Sequence, residues 1–154
     1  MLHVGSPVPD FELPDADLDV VSLASFRNQR HVVLYFYPKD DTPGCTIEAI
    51  DFSDLDDKFA AHGAVVLGVS KDDCDTHGRF RDKHGLTVRL LADTDGEVCT
   101  QYGVIVERET DGCKRTGILR STFVIDKDGI LRHALYGVNA RGHAIAVLDL
   151  VKSL

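Results

Sequence analysis

Four cysteines, at positions 45, 74, 99 and 113, are the residues of this 154-residue chain best suited to covalent chemistry. A deprotonated cysteine is a strong nucleophile and is readily oxidised. No two of the four form a Cys-x-x-Cys pair, the spacing typical of thioredoxin-type redox centres and of zinc ribbons. The local sequence around each cysteine must therefore indicate which of them is reactive.

Cys45 stands at a junction that favours a thiolate. His31–Tyr37 is a continuous apolar, β-rich run that predicts a strand buried on both faces. A loop with two prolines and a glycine follows over residues 38–44, and a helix is predicted from Cys45 to about His62. Cys45 then lies in the first helical turn, where free N–H groups and the helix dipole favour a thiolate. Position alone also allows a second interpretation, a buried cysteine packed against the strand.

Three residues of this segment have a characteristic spacing. Pro38, Thr42 and Cys45 form a Pro-x-x-x-Thr-x-x-Cys pattern, and in this the chain resembles the peroxiredoxins. The longer stretch YPKDDTPGCT, with Glu48 after it, is similar to the bacterioferritin comigratory protein (BCP) or PrxQ branch. The resemblance extends over nearly the whole chain, and it also covers the segments LGVS (67–70), VCTQYG (98–103) and RSTFVID (120–126). It implies a thiol peroxidase with Pro38, Thr42, Cys45 and Arg120 in its active site.

The residue types fit that chemistry. Peroxide reduction needs a thiolate, a donor that holds one peroxide oxygen, and positive charge near the departing oxygen. Thr42, three residues before Cys45, could donate to the thiolate or the substrate; capping the helix is its other expected role. Pro38 would restrict the loop and keep water from Cys45, which is compatible with simply ending the strand.

Arg120 is distant in sequence, but the predicted topology brings it to Cys45. It precedes a strand expected to run antiparallel beside residues 32–37, so that the start of one strand meets the end of the other. With the family resemblance, Arg120 is expected to favour the thiolate and to bind peroxide. An exposed arginine at a strand end is the alternative. Glu48 would orient Arg120, or would be a first-turn carboxylate favoured by the helix dipole.

The chain departs from the family pattern at the second, resolving cysteine. Many PrxQ-type proteins carry it five residues after the nucleophile, where this chain has Ile50. Another arrangement places it in the next helix, at a position that matches Arg81. Cys74, near the start of that helix, is the best candidate, and a cycle resolved by an external thiol is the alternative. Cys99 is expected in the core, and Cys113 in an exposed polar turn.

The remaining pattern predicts an α/β chain. Further strands are predicted at residues 64–70, 89–92, 122–125 and 130–136, and further helices at residues 72–84, 95–102 and 140–154. This order predicts a thioredoxin-like fold with a mixed central sheet and helices on both faces. A peroxiredoxin-type N-terminal extension and an insertion near residues 89–119 complete a single domain over residues 1–154.

The expected function is a thiol-dependent peroxidase that reduces hydrogen peroxide and organic hydroperoxides through a Cys45 sulfenic acid. The resemblance implies thioredoxin, or another thiol, as the reductant, and no metal, haem or flavin cofactor. The seven histidines show no paired ligand spacing. A thiol–disulfide oxidoreductase on the same fold is the enzymatic alternative, and the absence of a Cys-x-x-Cys motif counts against it. A peroxide-sensing binding protein without sustained turnover is the non-enzymatic alternative.

Composition limits the partners. The formal net charge of −8 argues against a nucleic-acid partner, which would want a basic face. The sequence has no apolar run of the length that spans a membrane, and its first residues have neither a basic start nor an apolar core. We therefore expect a cytoplasmic protein, and from the resemblance a monomer.

Overall fold

A five-stranded sheet forms the centre of the computed structural model, which describes residues 2–154. The strands are β1 (Glu12–Pro14), β2 (Val20–Ser22), β3 (His31–Phe36), β4 (Ala64–Ser70), β5 (Arg89–Ala92), β6 (Ile105–Thr110), β7 (Cys113–Ile118), β8 (Ser121–Ile125) and β9 (Leu131–Tyr136). The helices are α1 (Pro43–Asp54), α2 (Asp56–Ala61), α3 (Cys74–His84), α4 (Glu97–Gln101) and α5 (His143–Lys152). A short 3-10 turn covers Leu23–Phe26.

The central sheet has the order β5-β4-β3-β8-β9. Strands β3, β4 and β5 are parallel, because each is joined to the next by a helical crossover. Strands β8 and β9 are antiparallel neighbours, and β8 pairs antiparallel with β3. The mixed sheet is therefore confirmed, and β8 and β9 form a hairpin across the Asp128-Gly129 sequence, a dipeptide typical of tight turns.

Side chains of β3 alternate between two hydrophobic cores. Val33 and Tyr35 face the first core, which α1, α2, α3 and α5 cover. Leu34 and Phe36 face the second, which α4 and the N-terminal segment cover. Helices thus lie on both faces of the sheet, as predicted.

Two helical predictions need correction. The helix expected over residues 45–62 begins at Pro43 and is interrupted at Leu55, where the Ser- and Asp-rich sequence favours a new helix start. In the last helix the spacing predicts Ile145 on the buried stripe, yet this side chain is 61% exposed. The buried stripe consists of Ala144, Val147, Leu148 and Val151, whose i, i+3, i+4, i+7 spacing defines one helix face and leaves Ile145 beside it.

Two small hairpins were not predicted. The segment 89–119 contains β6 and β7, joined by Asp111 and Gly112, which both have positive φ and so form a tight turn. Strands β1 and β2 form the other hairpin. Within residues 2–154 no helix is both long and apolar enough to cross a membrane.

Candidate active site

Cys45 lies where the central strand β3 passes into helix α1. The chain turns through residues 37–42, and Pro43 occupies the first helical position, where its missing N–H costs no hydrogen bond. Cys45 is the third helical residue, and it is 1% exposed. It packs in the first core beside the sheet, with Ala49 and Phe52 on the same helix. The first turn of α1 thus holds the sulfur out of bulk water.

The guanidinium of Arg120 places a positive charge against Cys45. In the antiparallel pair of β3 and β8, Phe36 lies opposite Ser121, so the preceding Arg120 comes to the end of β3. Its Nη2 donates to Cys45 Sγ at 3.4 Å. A cation at this distance stabilises a thiolate relative to a thiol.

Glu48, one turn after Cys45, holds the other side of the guanidinium. Its Oε1 accepts from Arg120 Nη1 at 2.7 Å. The side chain is fully buried, and Oε2 has no hydrogen-bond partner among residues 2–154. Burial raises the pKa of Glu48 to about 7, although the charge of Arg120 opposes the shift. This carboxyl group therefore changes its charge near neutral pH.

Thr42 and Pro38 shape the loop before Cys45. Thr42 occupies the N-cap position of α1, and its carbonyl accepts from Thr46 N at 2.9 Å. Its hydroxyl donates to Lys39 O at 2.8 Å, so the side chain closes the loop and does not cap the helix. Pro38 directly follows Tyr37 at the end of the strand and is exposed.

Gly44 is a residue of the site that sequence reasoning left without a role. A Cβ at this position would come within 3.0 Å of Arg120 Nη2, which is tighter than ordinary packing. The missing side chain therefore makes room for the guanidinium beside Cys45. The Pro-Gly-Cys sequence was the available signal, because a glycine inside a helix start often marks a close approach.

His143 is a second residue that the sequence did not single out. It is the first residue of α5, and its Nε2 shares a 2.7 Å hydrogen bond with Thr122 Oγ1 on β8. Burial lowers the pKa of His143, and the positive charge of Arg120 lowers it further. A neutral imidazole therefore supports the strand that carries Arg120.

The structure keeps Cys74 apart from this arrangement. It is the first residue of α3, partly buried in a groove with Leu13, Leu18 and Ala92. Burial and the carboxylates of Asp15 and Asp73 raise the pKa of Cys74. All four cysteines are free thiols, with Cys99 buried in the second core and Cys113 exposed at the start of β7.

Known proteins are similar to this chain over most of its length. The model of the AhpC/TSA family matches residues 4–134. The chain belongs to this family. It is 40% identical to the peroxiredoxin Bcp of Escherichia coli over 151 residues, which are 98% of this chain and 96% of that protein.

Solved peroxiredoxins agree with the sequence match. The structure of a cysteine-to-serine mutant of PrxQ from Xylella fastidiosa superimposes with a TM-score of 0.93 at 34% identity, covering 99% of this chain and 97% of that one. The bacterioferritin comigratory protein of Xanthomonas campestris gives a TM-score of 0.89 at 37% identity, covering 93% and 90%. The thioredoxin-like peroxiredoxin fold is therefore confirmed, and the chain is a peroxiredoxin of the BCP/PrxQ type.

Proposed function

We propose that Cys45 is the nucleophile of this thiol-dependent peroxidase. The observation that supports Cys45 most strongly is the guanidinium of Arg120, 3.4 Å from its sulfur. Among the other cysteines, Cys99 faces the carboxylate of Asp93 and Cys74 those of Asp15 and Asp73, and carboxylates disfavour a thiolate. The charge around Cys45 is thus of the sign that peroxide reduction requires.

The proposed chemical step uses Cys45, Arg120 and Glu48 in the arrangement described above. The Cys45 thiolate attacks one peroxide oxygen, so that an S–O bond forms and the O–O bond breaks. The sulfur is oxidised to a sulfenic acid, and the departing oxygen leaves as water or an alcohol after it takes up a proton. Arg120 stabilises the charge on that oxygen, and Glu48 fixes the orientation of Arg120. Thr42 and Pro38 hold the loop that encloses the sulfur.

The substrates are peroxides, and we propose hydrogen peroxide and small organic hydroperoxides in particular. The bacterioferritin comigratory protein of Xanthomonas campestris has alkyl peroxide reduction activity. The neighbourhood of Cys45 is apolar apart from Arg120 and Glu48, which suits an alkyl group as well as a hydrogen. No metal or prosthetic group enters the proposed reaction.

Two routes complete the cycle. In the first, Cys74 attacks the sulfenic sulfur, forms a disulfide and releases water, and thioredoxin then reduces the disulfide. In the second, an external thiol attacks Cys45 directly. Both routes need local opening, because Cys45 is buried and Cys74 lies in a separate groove. We propose that the chain acts as a monomeric, single-domain protein in the cytoplasm, where its four free thiols stay reduced.

Intact mass and peptide mapping after one equivalent of hydrogen peroxide test the proposal. We expect one added oxygen on Cys45, or a disulfide between Cys45 and Cys74, in the wild-type protein. Cys45→Ser should remain unmodified, whereas Cys113→Ser, a matched change at an exposed cysteine, should react like the wild type. Oxidation at another cysteine in Cys45→Ser, with continued peroxide consumption, would contradict the assignment. Repeated turnover with a thiol reductant excludes a sensor that stops after one equivalent.

A further inference from the structure

Two residues fasten the loop that precedes Cys45: the exposed Asp41, which contacts Lys83 and His84 on α3, and the buried Asp40. The backbone N–H of Asp40 donates to Asp72 Oδ2 at 2.8 Å. Its carboxylate lies 2.6 Å from His77 Nδ1 on α3, and its other oxygen accepts from the hydroxyl of Tyr37. Asp40 and His77 are both buried, and His77 is 0% exposed. One loop residue therefore joins the end of β3, the loop after β4 and helix α3.

The hydrogen atoms of this cluster follow from its partners. His77 Nε2 lies 3.0 Å from the carbonyl oxygen of Leu91, which can only accept, so Nε2 carries a hydrogen. The contact between Nδ1 and the Asp40 carboxylate needs a further proton. The pair thus shares one proton and is neutral overall, which makes its complete burial tolerable. Burial raises the pKa of Tyr37 well above its usual value, so its hydroxyl keeps the hydrogen that it donates.

A cation is not needed to explain the cluster. Donor atoms of Asp40, Asp72 and His77 lie within 4.8 Å of one another, as they would around a metal ion. Asp72 Oδ2, however, already accepts from Asp40 N and from the Ser70 hydroxyl, and both nitrogens of His77 are engaged. Hydrogen bonds thus occupy both carboxylate oxygens of Asp40, both ring nitrogens of His77 and Oδ2 of Asp72, and they point to a mechanical role.

That role follows from the burial of Cys45. Cys45 is only 1% exposed, yet after oxidation a second thiol must reach its sulfur. Only four residues separate Asp40 from Cys45. Unwinding of the first turn of α1 would therefore displace Asp40. Helix α3 carries His77, and it also carries Cys74 as its first residue. The Asp40–His77 bond thus connects the two segments that must move when the cycle is completed.

We propose that Asp40 and His77 are positioning residues that latch the Cys45 loop in its closed conformation and so limit the access of thiols to oxidised Cys45. The proposal rests on the proposed function. Attack on peroxide takes place in the closed conformation, where Arg120 contacts the sulfur. Capture of the sulfenic acid takes place in the open one, when a thiol sulfur attacks Cys45, the S–S bond forms and the oxygen leaves as water.

The latch therefore affects the two half-reactions in opposite directions. A buried hydrogen bond to a charged group stabilises the closed conformation of the loop. Its loss should raise the population of the open conformation about tenfold or more. Capture by a thiol should accelerate by the same factor. Attack on peroxide should slow by less than about threefold, because the closed state still predominates. A change that merely damages the structure would slow both steps.

The test uses the full chain with Cys74→Ser, so that only an added thiol captures the sulfenic acid. Rapid mixing with hydrogen peroxide, followed by alkylation and mass spectrometry, gives the rate of attack. Mixing the oxidised protein with 2-mercaptoethanol gives the rate of mixed-disulfide formation. His77→Ala and Asp40→Ala break the latch, and the second variant lies in a loop, which protects the test against misfolding of α3. Arg79→Gln, on the exposed face of α3, is the matched control.

Asp40→Asn is the conservative variant. Its amide N–H can donate to neutral His77 Nδ1 while its oxygen accepts from Tyr37, so all the hydrogen bonds survive. We expect faster capture in both alanine variants and rates close to wild type in Asp40→Asn and Arg79→Gln. Unchanged capture in the alanine variants, or a parallel fall in both rates, overturns the latch. Absence of Cys45 oxidation in the parent protein would instead reject the proposed function, and with it this proposal.

Discussion

Two cysteines of this peroxiredoxin occupy equivalent positions on opposite faces of the sheet. Cys45 is the third residue of α1, which follows β3, and Cys99 is the third residue of α4, which follows β5. Both side chains are inaccessible, at 1% and 0% exposure. Helix position and burial therefore cannot decide which of the two is reactive.

The neighbouring charge distinguishes them. Cys45 Sγ accepts from the guanidinium of Arg120, whereas the Asp93 carboxylate accepts from the backbone N–H of Cys99 at 2.8 Å. Burial, followed by the hydrogen bond and the charge of Asp93, raises the pKa of Cys99 far above its usual value. Cys99 is consequently an inert thiol of the core. The start of a helix makes a cysteine reactive only when the surrounding side chains supply the matching charge.

Replacement of each cysteine by serine gives the largest contrast. Cys45→Ser should lower peroxide consumption to the level of the blank, because a serine hydroxyl stays protonated near neutral pH. Cys99→Ser should keep most of the activity and lose stability instead, because it places a hydroxyl in an apolar core. Peroxide consumption with a thiol reductant and urea unfolding of both variants check this. Full activity in Cys45→Ser would show that Cys45 is not the nucleophile, and the contrast between Cys45 and Cys99 would fail.

Removing the cation from the Cys45 site is the next largest effect. Arg120→Met should slow peroxide attack by roughly ten- to a hundredfold, because the variant loses a charge-assisted hydrogen bond to the reacting sulfur. Arg115→Met, on the exposed strand β7, is the matched control and should leave the rate unchanged. Rapid mixing with hydrogen peroxide measures both. An equal rate in Arg120→Met would mean that the guanidinium has no part in the reaction.

The sequence predicted much of this arrangement because its signals are local. Buried runs identified β3, β4 and β5, and the antiparallel pairing expected for residues 121–125 is the pairing that brings Arg120 to the end of β3. The β6–β7 hairpin was missed, although Asp111-Gly112 is a turn signal, because its strands are mostly exposed and lack an apolar alternation.

Contacts between distant segments could not be predicted in the same way. Asp40 and His77 are 37 positions apart, and their contact depends on how α3 packs against the loop. The clearance between Gly44 and Arg120 likewise depends on side-chain placement in three dimensions. Individual residue types gave no warning of either contact, because an aspartate in a loop and a histidine on a helix are ordinarily solvated.

Glu48 makes the Cys45 site sensitive to pH, and Glu48→Gln should remove that sensitivity. Its pKa is about 7 in the folded protein, against an ordinary value of 4.5. Folding therefore favours the protonated carboxyl, so its stabilising contribution is present below pH 4.5 and is lost as the pH rises through about 7. Relative to Glu48→Gln, the wild type should lose about 3 kcal/mol of unfolding free energy over that interval.

Urea unfolding of both proteins at about pH 4.5 and about pH 8 measures this difference. Glutamine keeps an acceptor for Arg120, so peroxide attack should fall by less than about tenfold, a smaller loss than in Arg120→Met. Asp51→Asn, on the same helix but partly exposed, controls for the loss of one carboxylate. A constant difference in unfolding free energy between the two pH values would show that Glu48 does not titrate in the folded protein.

The smallest effect should come from removing the carboxylate at the Cys99 site. Asp93 accepts from Val98 N at 3.2 Å and from Cys99 N at 2.8 Å, so Asp93→Asn replaces one acceptor by an amide group that cannot accept. The free energy of unfolding should fall by about 1 kcal/mol.

Cys99 should remain almost unreactive toward iodoacetamide at about pH 8, because burial is the first cause of its raised pKa and persists in the variant. Asp95→Asn, which alters an exposed carboxylate of the same loop, is the matched control. Alkylation of Cys99 as fast as that of the exposed Cys113 would show that charge alone, and not charge together with burial, separates the two cysteines.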